Sequence, residues 1–241
     1  MSARRHTRLR EELEESHRQA ERPRQPGFPV EALGALQHFQ RERLARTYAD
    51  LAAQRRYADA VAFFLEELYG GKDMQVRDRQ VADALPIMQR TLPSRMQEAL
   101  ADAFRLQALS LELDIVLAQG MAEEGLETIT PADYSRLYPR VPRERRVEQI
   151  ELIENLAGEL DRVVNLPLVL GLIVAMRGPA RAAGFGDLQA FLERGLRAFR
   201  TMGSAERFSR VIVDRERRIM ERLYAGEPRP FDLQDQNSQP K

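Results

Sequence analysis

Apolar residues recur at helical spacing along almost the whole chain. Leu33, Leu36, Leu44, Tyr48 and Leu51 predict an amphipathic helix to about Ala53, with Pro29 suited to its first turn. After the polar interruption Gln54-Arg55-Arg56 the pattern resumes at Tyr57 and runs through Val61, Phe64, Leu65 and Leu68. Gly70-Gly71 stops it, because glycine accepts the positive φ common at a helix C-terminus. Val81, Leu85, Ile87 and Met88 predict a short helix kinked at Pro86. Ser94 is placed to cap a helix over about 95–118, which is apolar on nearly every side from Phe104 to Leu117 and so belongs at the centre of a bundle.

Further on, Thr130-Pro131 followed by Asp133 is the start signal of a short helix. Pro142 opens another, whose apolar face is Ile150, Leu152, Ile153, Leu156, Leu160, Val163 and Val164. Asn165-Leu166-Pro167 kinks the chain or restarts it, 187–201 reads as helix, and Ser204 is placed to cap a last helix carrying Phe208, Val211, Ile212, Ile219 and Leu223. No stretch shows the period-two alternation of a strand. The pattern predicts an all-α fold, a single-domain bundle of about eight helices over residues 29–226.

The two ends differ from this middle. Residues 1–28 form a charged helical arm and a Pro-rich linker, with Leu9 and Leu13 as the arm's only clear apolar anchors. So polar a helix has little to bury, and it is expected to fray unless a partner orders it. Residues 227–241, with Pro228, Pro230 and Pro240, read as a disordered tail.

Composition narrows the possible chemistry. There is no cysteine among the 241 residues, which removes disulfides, thiolate metal sites and thiol catalysis and fits a reducing, cytoplasmic setting. The N-terminus shows no apolar signal segment, and the longest apolar run, Leu166 to Met176, is too short to span a bilayer of about 30 Å. Lysine and arginine total 37, matching 37 acids, and only Lys72 and Lys241 are lysine. Because the arginines are interleaved with Glu and Asp, including those near 136–146 and 207–222, the pattern argues against nucleic acid as a partner.

One block is distinctive: Phe63-Phe64-Leu65-Glu66-Glu67-Leu68-Tyr69-Gly70-Gly71-Lys72-Asp73. It resembles the signature of an uncharacterised proteobacterial family named for its FFLEELY motif. The resemblance continues through Leu85-Pro86-Ile87-Met88, Glu112-Leu113-Asp114 and Met176-Arg177-Gly178-Pro179-Ala180-Arg181. It implies no activity and no catalytic residues.

On a helical wheel the apolar residues from Tyr57 to Tyr69 sweep an arc of about 200°, leaving Asp59, Glu66 and Glu67 in the remaining sector together with Phe63. This is either a core helix with a narrow solvated stripe or, with Phe63, Glu66 and Glu67 as candidate ligand-binding residues, one wall of a groove. Asp114 falls on a largely apolar face, where it needs either a hydrogen-bonding partner locking two helices or a ligand. Arg177 and Arg181, near Gly184-Phe185-Gly186, could meet an anion at a helix start, although a tight interhelical connection accounts for the same residues. The segment lacks the Gly-Lys-Ser/Thr of a P-loop.

The three histidines, His6, His17 and His38, stand apart from one another, so no metal, haem or other cofactor and no Ser-His-Asp triad is expected. Leu166–Met176 is apolar all round, and burial inside the domain is expected ahead of a role in self-association. The leading expectation is a non-catalytic cytoplasmic interaction or regulatory protein, with the arm as its partner-binding appendage. The alternative is a small-molecule binder or enzyme with a pocket between the Phe63–Tyr69 and Asp114 helices. Nucleic-acid binding comes third.

Overall fold

A computed structural model describes residues 2–67, 80, 83–86, 89, 94–164, 169–203 and 205–233. Its main helices are α1 (Ser2–Glu21), α2 (Val30–Thr47), α3 (Ala49–Ala52), α4 (Ala58–Glu67), α5 (Ser94–Glu123), α6 (Pro131–Leu137), α7 (Arg143–Val164), α8 (Val169–Ala175), α9 (Arg177–Ala182), α10 (Gly186–Met202) and α11 (Glu206–Tyr224). There is no strand among the described residues, so the fold is all-α. The Leu68-Tyr69 and Gly70-Gly71 positions, Pro167 and the Ser204 cap lie outside the described residues.

The organising element is α5. Its 30 residues span about 45 Å. Alanine and leucine dominate it, both strong helix formers. Its faces bury Leu109, Leu113, Ile115, Leu117, Ala118 and Met121, and α1, α2 and α7 pack around it. The expected capping box is present at α6: Thr130 accepts from the Asp133 backbone N–H, and the Asp133 carboxylate accepts from that of Thr130. At the start of α11 the Ala205 N–H donates to Asp161 Oδ1 of α7 at 2.6 Å. A neighbouring helix thus satisfies one of the free N–H groups at that start.

Two expectations about the ends are corrected. The arm does not fray where its side chains are described: Leu9 is 0% and Leu13 3% exposed, packed with Ala101 and Phe104 of α5. Leu9, Leu13 and the buried Ser16 fall at i, i+4 and i+7, so they form one stripe on α5. Arg8 pairs with Asp102 at its edge. Two leucines bury too little alone, but a long flat partner helix from the same chain supplies the missing surface. The stripe expected to await a partner is therefore occupied.

At the other end, the part of the tail described, to Leu233, folds back. Phe231 packs edge-on to Phe39 at 6.2 Å and against Tyr134 at 5.9 Å, with the Arg43 guanidinium over its ring. One aromatic residue, Phe231, anchors what composition reads as disordered.

Candidate functional site

The sequence candidates separate into three places. Phe63 faces α10: its ring lies 5.3 Å from that of Phe191, and an ideal Cβ on Gly195 would stand 3.0 Å from its Cζ. α4 and α10 approach closely because position 195 has no side chain. Phe63 among the acids is thus a second packing contact, beside the one Phe64 makes edge-on with Phe199 at 5.6 Å. Glu66 is exposed, and the Glu67 side chain lies outside the description.

Asp114 belongs to a different core, on the face of α5 toward α2. Gln40 Nε2 donates to its Oδ1 at 2.9 Å. Burial pushes its carboxyl above the usual range, opposed by hydrogen bonds from Gln40 and Gln37 and by the charge of Arg146. Phe63 packs with α10 while Asp114 sits among α2, α5 and α7; the Glu67 side chain and Tyr69, part of the expected pocket wall, lie outside the described residues.

Around Asp114 lies a polar cluster that sequence reading missed. Arg146 is 4% exposed, with its guanidinium 4.5 Å above the Tyr138 ring. Its Nη1 donates to Gln149 at 3.0 Å, and Gln149 Nε2 in turn donates to Ser110 at 2.8 Å. Nearby, Arg43 donates to Glu216 at 2.5 Å and the Tyr48 hydroxyl donates to the same carboxylate at 2.6 Å. The available signal was the wheel of α7, where Arg146 shares a face with Ile150 and Ile153 and so had to be buried. This cluster binds helices to one another, with Arg146 compensating Asp114 at a distance.

The third place is an open cleft of about 250 Å³ between α9 and α10, lined by Arg177, Arg181, Gln189, Glu193, Arg194 and Arg197. Positions 186, 189, 190, 193, 194 and 197 make one stripe of α10, while Phe191 and Gly195 lie on its other side against Phe63. One helix thus packs with one face and carries charge on the other. Glu193, its side chain 9% exposed, is the only carboxylate among the described residues of the lining. Arg177 grips it with two N–H groups, Nε donating at 2.6 Å, and Arg197 Nε donates to it at 2.9 Å. These arginines, Arg177 first, hold its carboxyl below the usual range.

Arg181 is exposed and makes no ion pair among the described residues. Of the two sequence-predicted arginines, Arg177 is structural and Arg181 is available. Gln189, buried, donates to the Ile173 carbonyl and ties the cleft to α8.

α8 itself departs from expectation. Among its described side chains and Met176, none is fully buried: Leu170, Ile173 and Val174 are half-buried, Ala175 is exposed, and Met176 is 43% exposed. Among the described residues the run packs chiefly on α7, α9 and α10, which leaves part of its apolar surface open.

Elsewhere many arginines are matched to carboxylates. Arg136 and Arg140 pair with Glu124, Arg143 with Glu221, Arg145 with Glu112 and Glu148, Arg215 with Asp50 and Arg217 with Glu154. Most cations of the segments weighed for nucleic acid are thus paired locally, whereas Arg146, Arg207 and Arg218 make no ion pair among the described residues. Among the described residues no group of three or more His, Asp or Glu side chains is placed to hold a metal, and no helix is long and apolar enough to cross a membrane.

A family model described as a domain of unknown function (DUF8198) matches residues 17–230, from the end of α1 through α11 to just before Phe231. No curated protein and no solved structure matches the chain.

Proposed function

We propose that this chain, which belongs to the DUF8198 family, is a non-catalytic helical interaction and regulatory module that docks a protein partner through α8 and the start of α9. The observation that carries this reading is the part-open state of Leu170, Ile173, Val174, Ala175 and Met176 in the chain's most apolar run. A contiguous apolar surface beside polar residues is a common mark of an interaction site. The resemblance of Phe63–Gly71 to the proteobacterial FFLEELY signature, together with the absence of cysteine, supports a bacterial cytoplasmic setting for it.

The chemistry of the occupant follows from charge. Met176 is followed directly by Arg177, with Arg181 one turn further. A two-fold contact between copies would bring both sets of these arginines into one interface, since such an interface uses the same patch on both sides. An amphipathic helix with an acidic flank suits the face better.

A photo-crosslinking phenylalanine analogue at position 176 tests this in cells. Crosslinks to an acidic amphipathic segment of another protein are expected. Crosslinks only to a second copy or to lipid, or none, overturn the reading.

A further inference from the structure

We infer that water occupies a buried site at the junction of α2, α5 and α7, where it bridges the Arg146 guanidinium to Asp114 and Gln40. The inference does not depend on a partner docking at α8.

Three hydrogen-bonding atoms of this junction are buried without a protein partner: Nε and Nη2 of Arg146 and Oε1 of Gln40. Arg146 is 4% and Gln40 5% exposed. Nη1 of Arg146 is taken by Gln149, itself tied to Ser110, one turn before Asp114 on α5. The flat side of the guanidinium lies over the Tyr138 ring, so further partners have to come to its edge. On α2, Gln40 turns its NH2 toward Asp114 Oδ1, since only that end of the amide can donate to a carboxylate, and its carbonyl oxygen is left over. Unpaired polar atoms are costly in a core, and nearly all buried ones find a partner.

The charge of Asp114 acts on Arg146 across the junction, yet the two make no direct hydrogen bond or ion pair among the described residues. Opposite charges edged by two donors and an acceptor select their own bridge. A cation is repelled by Arg146 and an anion by Asp114, while an apolar group leaves all three atoms unpaired. Water accepts from the Arg146 edge and donates to Asp114 or Gln40 Oε1, within the two to four bonds that internal waters make. The three helices are then joined by a hydrated pair of charges, and neither charge is stripped of every bond.

Two measurements on the full chain test the inference. A high-resolution crystal structure is expected to show ordered water within hydrogen-bond distance of Arg146 Nε or Nη2 and of Asp114 or Gln40 Oε1, and bromide soaking separates water from an anion by its anomalous signal. In solution, with arginine labelled by nitrogen-15, the Arg146 Nε–H should give a rotating-frame cross-relaxation peak to water, of the sign that distinguishes a bound molecule from proton exchange. Gln40→Leu removes one of the water's partners and should abolish or strongly weaken that peak. The parent chain alone decides the outcome should that variant not fold. Four results each overturn the inference: a guanidinium closed directly on Asp114 with no water between them, a bromide peak at the guanidinium, no cross-relaxation of Arg146 with water, or a peak unchanged in Gln40→Leu. Failure here leaves the position-176 crosslinks unaffected, so the two readings fail separately.

Discussion

Along the side of the molecule built on α5, α7 and α11, most arginines are matched with acids, Arg146, Arg207 and Arg218 being without an ion pair among the described residues. Arg143 meets Glu221, Arg217 meets Glu154, and even the buried Arg43 has Glu216. At the α9–α10 cleft the ratio changes: Arg177 and Arg197 share Glu193, and Arg181 has no partner among the described residues. The same residue type holds helices together in one region and leaves uncompensated charge in the other. Arginine content therefore says little about function until each guanidinium is matched with its acid. Exposed pairs of the first kind contribute only about 0–1 kcal/mol each, so their value lies in cancelling charge as much as in stability.

The contrast predicts where substitutions matter. The largest loss is expected for Arg146→Ala, which leaves Asp114 buried without its compensating charge and removes the contact with Tyr138. Urea unfolding should show a cost of about 3–5 kcal/mol. Next comes Leu9→Ala, which empties a fully buried site between α1 and α5, at about 3 kcal/mol. A value near zero for Leu9 would return α1 to the status of a loose arm.

Gly195→Ala, on the packed face of α10, should cost about 1–2 kcal/mol by forcing the Phe63 ring aside. Adding Phe63→Leu should recover part of that loss, a coupling that a double-mutant cycle measures.

A pH-dependent effect distinguishes Asp114 from the surface acids. Because its folded-state pKa is raised, its contribution to stability is present below the unfolded value of about 3.9 and is lost as pH rises through the folded value. Relative to Asp114→Asn, which does not titrate, the parent should therefore gain stability as pH falls. Paired unfolding curves between neutral and acid pH check the sign. Smallest of all, Arg181→Ala and Met176→Glu should each change stability by less than about 0.5 kcal/mol, although both lie in the proposed docking surface. A large loss from either would place that residue with the matched arginines of α5–α7–α11.

Much of the helical layout was legible from local rules. The Thr130–Asp133 capping box and the central α5 follow from spacing and residue type alone, and Asp114 stood out as an acid on an apolar face. What was not legible depends on surfaces supplied from far along the chain. Leu9 and Leu13 look inadequate until α5 is set against them, and Phe231 looks like tail until Phe39 and Tyr134 form its seat. Arg146 is hidden among arginines of identical composition, with only its helical phase marking it as buried. For α8, hydropathy reports the apolar side chains but not how many neighbours reach them. That number is a property of the bundle, so the half-open face could not be read locally.

The approach of α4 to α10 has a consequence for descent and for redesign. With 3.0 Å between the Phe63 ring and the place where a side chain at 195 would begin, the two positions amount to a single inherited choice. Lineages that keep the phenylalanine should keep the glycine, and enlargement at 195 should arrive only with shrinkage at 63. Varied together, the two sites offer a route to a differently packed α10 that leaves the charged stripe on its far side in place.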